Sequence, residues 1–311
     1  MRGFFISGKE VLLRIQRKGI RKLNIQYHVG FFTEKKLHDF VNASVKSGID
    51  TSISLHNSKK MSVELMRDLG EMGVQLFVHN EEDKLRIESM GVKNIHQVRQ
   101  GVIEFPDMDI ATCRLKWGIT KAPVLGSFGF LRPHKGILEL LEAVDILRKS
   151  YPDILLLGLN ALYPSDDSER YLSACRNLIH ERGLESHVIL KTEFLSTEEI
   201  IDYLHAVDIV VLPYHESDEG ASATGNMAIA AKRPVIISRS SIFSGIKDIS
   251  YQVKDISPSI LAAEIDHVLS DPDLLQQLKG KTTNYAESNS WQNIAHQYIH
   301  YFFKYVSEGR R

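Results

Sequence analysis

The stretch Asp208–Ile236, DIVVLPYHESDEGASATGNMAIAAKRPVI, decides how this chain is read. Ile209-Val210-Val211-Leu212 is a short, β-branched apolar run stopped by Pro213, which suits a strand buried on both faces of a parallel sheet. The segment Glu219 to Thr224 that follows has almost no bulk, so a ligand can approach its backbone. Ser222 or Thr224 stands where it would cap the next helix. Val235 and Ile236 then open a second strand. Unpaired N–H groups and roughly half a positive charge at a helix N-terminus favour phosphates and polar sugars. The same segment also fits an ordinary strand-turn-helix kept small by tight packing, so its neighbours must decide.

On either side, short apolar runs alternate with helical periodicity. Strands are expected over Leu23–Tyr27, Thr51–Leu55, Val74–Val78 and Asn94–Val98, with helices over Glu34–Ser47, Val63–Met72 and Glu81–Met90 between them. Pro106, Asp107 and Asp109 mark Glu104–Lys121 as a crossing between domains. The alternation restarts with Val124–Phe128, Ile137–Ser150, Ile154–Leu157 and Ser168–Arg182. It continues through Val188–Lys191, Thr197–Ala206, Ile209–Leu212, Ala223–Ala231, Val235–Ile237 and Ser259–Leu269. Strand and helix in alternation predict an α/β protein of parallel sheets. The 311 residues allow two such domains. Two doubly wound, Rossmann-like domains facing a cleft are therefore expected, split into 1–120, 121–285 and a C-terminal helix over 286–311. Ligands of such sheets bind beyond the carboxyl ends of the strands.

Composition narrows the partners. Lys plus Arg is 38 against 39 for Asp plus Glu, so no global field points to nucleic acid. Cys113 and Cys175 are too few and too far apart for a disulfide or metal framework, and free thiols suit a reducing cytosol. No run of about 18 apolar residues is present and the N-terminus lacks a signal-peptide core, which predicts a cytoplasmic protein. The start is locally basic: Arg2, Lys9, Arg14, Arg17, Lys18, Arg21 and Lys22 face a single Glu10. Interleaved with Val11, Leu12, Leu13, Ile15 and Ile20, these cations suit peripheral contact with the anionic inner face of a membrane. They equally suit a solvated helix face.

The first strand of the second half leads into Gly126-Ser127-Phe128-Gly129-Phe130-Leu131-Arg132-Pro133-His134-Lys135-Gly136, read here as a glycine-bearing loop with two permanent cations. Diphosphate is the natural guest. Arg132 offers a planar fork, Lys135 a mobile point charge, and the Lys135-Gly136 step opens a helix whose backbone donors add to both. The spacing is neither that of a GxxxxGK[ST] phosphate loop nor of a GxGxxG dinucleotide fingerprint.

SFGFLRPHKG, ILLLGL, AVDIVVLPYHESDEG and MAIAAKRPVI, in that order on those elements, resemble the group 1, family 4-like retaining glycosyltransferases of GT-B fold. The resemblance covers the C-terminal two-thirds. It implies that Gly129, Arg132, Lys135, Ser222 and Ala223 hold a nucleotide-sugar diphosphate. Glu219 would bind the sugar hydroxyls, with Glu216, Gly220, Ala221 and Asn226 nearby on sugar or ribose. His56, at the end of an N-terminal strand, matches the histidine such enzymes carry near the reacting sugar; Tyr27 and His28 would line the acceptor side. His79-Asn80 ends the next strand, and Gln100-Gly101-Val102 resembles the family's Asn-Gly-Val turn. The implied reaction needs no cofactor and no metal: the donor is a substrate, and a saccharide or lipid-linked hydroxyl accepts the sugar, as in surface polysaccharide or lipopolysaccharide synthesis.

The chain departs from the family pattern at three places. Phe130 stands where the arginine is expected, so Arg132 must reach the phosphates from two residues later. Met227 replaces the second glutamate that would bind the ribose. The N-terminal domain matches the family only from about residue 9, as if incomplete, which predicts an exposed sheet edge and an apolar face awaiting a partner chain. Two other functions stay open: a non-catalytic GT-B subunit that binds a nucleotide sugar or a partner, and a sugar-nucleotide epimerase, for which the first half offers no acid and base carboxylate pair. The aromatic spacing Tyr298, Tyr301, Phe302 and Tyr305 is read as structural.

Overall fold

A computed structural model describes residues 7–30, 33–216 and 223–308, with side chains through Tyr301. Contacts divide the chain into two compact units. The first holds the segment ending at Arg99 and the C-terminal segment from Ile294; the second runs from Gln100 to Asn293. Both are parallel α/β sheets.

In the first unit the order is α1 (Gly8–Arg17), β1 (Lys22–Tyr27), α2 (Glu34–Lys46), β2 (Asp50–Leu55), α3 (Val63–Glu71), β3 (Gln75–Val78), α4 (Glu81–Ser89) and β4 (Ile95–Gln97). The strands lie in the order β1-β2-β3-β4, all parallel. Alternation sends Ile53, Leu55, Leu76 and Val78 into one core with Leu37, Val41, Leu65, Met66 and Leu69 from the helices. Side-chain caps start the helices: Thr33 accepts from Lys36 N–H, Ser62 from Leu65 N–H and Asn80 from Asp83 N–H.

The opposite face of this sheet is not the apolar surface expected from sequence. It carries Asn24, Ser52 and Ser54, and their side chains satisfy one another: Asn24 Nδ2 donates to Ser52 Oγ at 2.9 Å and to Ser54 Oγ at 3.3 Å. Gln26 Nε2 donates to Ser54 Oγ at 3.2 Å. Further along this face Phe77 and Val98 are covered by Ile294, Tyr298 and Tyr301 of the C-terminal helix. Among the described residues β1 pairs with β2 alone.

The second unit comprises α5 (Ile110–Trp117), β5 (Val124–Leu131), α6 (Ile137–Leu147), β6 (Leu155–Leu162), α7 (Asp166–Glu181), β7 (Val188–Lys191), α8 (Thr197–His205), β8 (Ile209–Leu212), α9 (Ala223–Ala230), β9 (Val235–Ile237), β10 (Tyr251–Gln252), α10 (Pro258–Leu269) and α11 (Pro272–Ser288). The last helix, α12 (Trp291–Glu308), carries the chain into the first unit. The sheet order is β10-β9-β8-β5-β6-β7. The winding starts at β5, proceeds one way to β7, then returns to β8 on the other side, as in a dinucleotide-binding fold. Apolar clusters cover both faces.

The sequence division at 120/121 falls inside this unit. Residues 110–117, read as part of a crossing, form α5, capped by Asp109 and closed by Gly118 at φ 64°. Arg114 ties it to the strand β8 approach: the guanidinium pairs with Asp208 at 2.6 Å and donates to the Ala206 carbonyl at 2.9 Å. Asp208 also accepts from Val124 N–H at 2.7 Å, so one carboxylate aligns the starts of β5 and β8.

Candidate functional site

The switch point between β5 and β8 is where this sheet opens. β5 pairs with β6 over all eight residues, but with β8 only at Leu125–Ile209 and Gly126–Val210. Beyond Gly126 the two strands part, and the segments after each fill the gap. A crevice at such a point is where ligands of open α/β sheets bind.

Part of the expected glycine loop proves to be strand. Residues through Leu131 continue β5, and only Arg132 and the short 3₁₀ turn Pro133–Lys135 are loop. Two glycines permit the geometry. Gly129 has φ 128°, and a Cβ there would sit 3.2 Å from Thr224 Oγ1 and 3.3 Å from Tyr214 Oη. Gly136 has φ 67°, and its added Cβ would fall 2.0 Å from the Pro213 carbonyl oxygen. The loops after β5 and β8 are thus pressed backbone to backbone.

Further bonds hold them. His215 N–H donates to the His134 carbonyl at 2.9 Å, and His215 Nε2 meets Glu139 Oε1 at 2.8 Å. Tyr214 Oη donates to the Phe128 carbonyl at 3.2 Å, and the Tyr214 carbonyl accepts from Ser238 Oγ at 2.5 Å. Lys135 is 7% exposed, and its ammonium stands 3.9 Å from the centre of the Tyr214 ring. A cation over a tyrosine face is attracted by the ring quadrupole.

Arg132 goes elsewhere. Its guanidinium stacks on Tyr163, 5.0 Å from the ring centre, and Phe130 packs edge-on against the same ring. Tyr163 follows β6 and Tyr214 follows β8, on opposite sides of β5. The sequence pairing of Arg132 and Lys135 around one diphosphate is therefore not formed here, because the guanidinium finds an aromatic partner on the β6 side.

On that side lies a cavity of about 140 Å³ lined by Phe128, Phe130, Leu159, Phe194, Leu195 and Ile200. Its wall is mostly apolar, with Glu193 the one charged lining residue among those described, and Phe194 is 83% exposed. Sequence reading missed both Tyr214 and this cavity. The signal for Tyr214 was an aromatic residue directly after the strand-ending Pro213; the cavity residues converge from three separate segments and leave no local signal.

The remaining candidates are distributed as follows. Glu219, Gly220, Ala221 and Ser222 lie outside the described residues; Ala223 begins α9. The Glu216 carboxylate accepts from Ser241 N–H at 3.0 Å and from the Ser241 hydroxyl. Asn226 Nδ2 donates to Gln100 Oε1 at 3.0 Å, which commits half of its amide. Met227 packs against the second unit's core, as plain helix packing requires. Tyr27 is 1% exposed among Leu37, Val41, Ile53 and Leu55, so its ring packs in the core. Burial and the Glu34 carboxylate push its phenol above the ordinary range. His28 is half-buried, its Nδ1 accepting from Gly30 N–H at 3.0 Å.

His56 stands at the end of β2, half-buried, with Nε2 2.7 Å from Gln26 Oε1 and Nδ1 3.1 Å from His79 Nε2. His79 Nδ1 lies 3.1 Å from the Val98 carbonyl. Burial, with His79 and His28 nearby, lowers His56 to about 4. His79 is lowered too, chiefly by burial. Among the described residues no three His, Cys, Asp or Glu side chains gather as metal ligands, and no helix is long and apolar enough to cross a membrane.

This is the architecture of a two-domain Rossmann-like protein whose C-terminal unit opens at its switch point. Residues 110–285, more than half of the chain, match the family described as glycosyl transferases group 1. The chain belongs to that family. Among solved structures, a glycosyltransferase from Rickettsia africae ESF-5 superposes with a TM-score of 0.78 over 98% of this chain and 83% of that one, at 15% identity. Anabaena Alr3699/HepE, solved in complex with UDP, gives 0.75 over 95% and 81% at 16% identity. Likeness at such identity shows the fold alone. The Bacillus subtilis (strain 168) protein YtcC, described as a glycosyltransferase, is 24% identical over 184 residues, 57% of this chain and 44% of its own length.

Proposed function

We propose that this chain transfers a sugar, with retention, from a nucleoside-diphosphate donor to a hydroxyl of a saccharide or lipid-linked acceptor, in the assembly of surface polysaccharide or lipopolysaccharide. The observation that carries the proposal is the buried Lys135 ammonium held over Tyr214 where β5 and β8 diverge. As the glycosidic bond breaks, negative charge grows on the leaving diphosphate. A cation already desolvated and oriented stabilises that charge without reorganising. The backbone donors of Ala223, at the start of α9, and of Ser222 would add to it. Gly129, lacking a side chain, leaves room for the phosphates, and the apolar cavity beside Phe128 suits a heteroaromatic base. The neighbours' printed ligands, UDP and UDP-glucose, agree in kind.

Glu219 would orient the sugar hydroxyls, with Gly220, Ala221 and the free side of Asn226 close by, and His56 would hydrogen-bond near the reacting carbon. Arg132 would join the diphosphate only after leaving Tyr163. Release of nucleoside diphosphate from a panel of nucleotide sugars, measured for wild type, Lys135→Ala and His56→Gln, tests the proposal. Turnover by wild type that drops at least ~100-fold in Lys135→Ala is expected, since loss of one preorganised donor typically costs 10²–10³ in rate. A second reading, a non-catalytic nucleotide-sugar-binding subunit, is favoured by Arg132 resting on Tyr163 with Phe130 in the family's arginine position. It predicts binding by wild type without turnover.

The basic first helix supports a membrane-peripheral location at the cytoplasmic face. Lys9, Leu13 and Arg17 form one exposed stripe of α1, and Lys18, Ile20 and Arg21 extend it, while Ile15 points into the unit. The face that a partner chain was expected to cover carries the bonded polar cluster of Asn24, Gln26, Ser52 and Ser54.

A further inference from the structure

Three consecutive residues after β8 meet three consecutive residues after β5, in opposite order. The Pro213 carbonyl presses on Gly136, the Tyr214 ring centre lies 3.9 Å from the Lys135 ammonium, and His215 N–H donates to the His134 carbonyl at 2.9 Å. One side chain extends this match into α6. His215 Nε2 lies 2.8 Å from Oε1 of Glu139, in the first turn of that helix. An ionised carboxylate can only accept, so the proton is on Nε2 whether the ring is neutral or charged. Glu139 Oε2 is buried and has no hydrogen-bond partner among the described residues. Glu139 also stands four residues beyond Lys135, which makes Lys135 a cation close to it along the chain.

We propose that His215 is a positioning residue for Lys135: it binds the Glu139 carboxylate against the β8 segment and so keeps that carboxylate from drawing the Lys135 ammonium off Tyr214. A carboxylate oxygen buried without a donor is costly, and the cost rises when the group's bonded neighbour is removed. Deprived of His215, Glu139 would turn to a nearby cation, and Lys135 carries its charge on a flexible four-carbon stem. The ammonium would then be neutralised within the protein and lost to an anion at the switch point. With His215 in place, Glu139 fastens α6 to the β8 segment while its charge is held on the histidine side. The value of the ammonium to donor binding rests on the function proposed above; its place over Tyr214 does not.

NMR of the full chain with ¹³C-labelled lysine reads that place directly, because the ring current of Tyr214 moves the Lys135 ε-methylene protons upfield; Lys135→Arg assigns the signal. In His215→Ala the upfield shift is expected to collapse. In His215→Gln, whose amide nitrogen stands where Nε2 does, it is kept, and in His215→Ala/Glu139→Gln it returns, since a neutral amide does not capture a cation. Should His215→Ala not fold, His215→Asn, too short to reach Glu139, takes its place. Where a nucleotide sugar binds, His215→Ala weakens it about 10-fold and the double variant recovers to within about 2-fold of wild type. In a Lys135→Ala background His215→Ala costs nothing further, because both residues act through one charge. An unchanged lysine signal in folded His215→Ala overturns the proposal. So does a shift lost in His215→Ala and not restored by Glu139→Gln, which would make His215 a plain strut of the loop. The expected lysine signals without binding of any nucleotide sugar would remove the donor reading and leave the positioning role standing.

Discussion

Gly136 and Lys135 are adjacent, yet they do different work at the switch point. Gly136 is steric: replacement by alanine must accommodate a φ of 67° and a Cβ 2.0 Å from a backbone oxygen. Urea unfolding of Gly136→Ala should show a loss of at least ~2 kcal/mol, since a left-handed residue and a backbone clash add. Gly183→Ala, with φ 60° and open space around it, should lose only ~1 kcal/mol. Lys135 is electrostatic, and its removal should spare stability relative to donor binding. His56 supplies a pH signature. Its folded value of about 4 lies below the ordinary 6.5, so between these limits the unfolded chain binds more protons than the folded one. Stability is therefore unaffected above pH 6.5 and falls as pH drops toward 4; pH-dependent melting of wild type should show this slope, reduced in His56→Gln. Much of this site was legible because Lys-Gly before a helix and His at a strand end are local signals. Tyr214 was not, since it reaches Lys135 only through the β5–β8 pairing.

Elements with strong periodicity were legible nearly to the residue: β7, β8 and β9 begin and end where the apolar runs do. β5 and β6 run further than expected because Gly129 and Gly158 look like loop punctuation. Their missing side chains instead admit Thr224 and Leu190 against the strands. α5 was missed because Pro106, Asp107 and Asp109 precede it; Asp109 turns out to be its cap. α1 carries the testable surface. Each cation near an anionic bilayer contributes about 1 kcal/mol. Replacing Arg17, Lys18 and Arg21 by glutamine should weaken cosedimentation with vesicles containing phosphatidylserine roughly 100-fold, and added salt should weaken wild type likewise. Equal sedimentation of wild type and variant would return α1 to the status of a solvated face.

At the scale of the whole molecule, the alternation of strand and helix fixed two parallel sheets, and the order β10-β9-β8-β5-β6-β7 locates the opening of the second. Strand order itself is not written in any local segment; it follows from which apolar faces the helices cover, and so becomes visible only in three dimensions. The polar face of the first sheet was hidden for the opposite reason. Asn24, Gln26, Ser52 and Ser54 alternate with Leu23, Ile25, Ile53 and Leu55, and read as half-exposed strands they are unremarkable, yet their cross-strand bonds remove the need for an apolar cover. The central claim is that the second unit binds a nucleoside-diphosphate sugar through the Lys135 loop. Calorimetric titration of wild type and Lys135→Ala with UDP, GDP, ADP and dTDP sugars tests it most directly. A donor that binds wild type and binds Lys135→Ala about 10- to 100-fold more weakly, the cost of one charged hydrogen bond, is the predicted result; no binding by any of the four, or equal binding to both proteins, would contradict it.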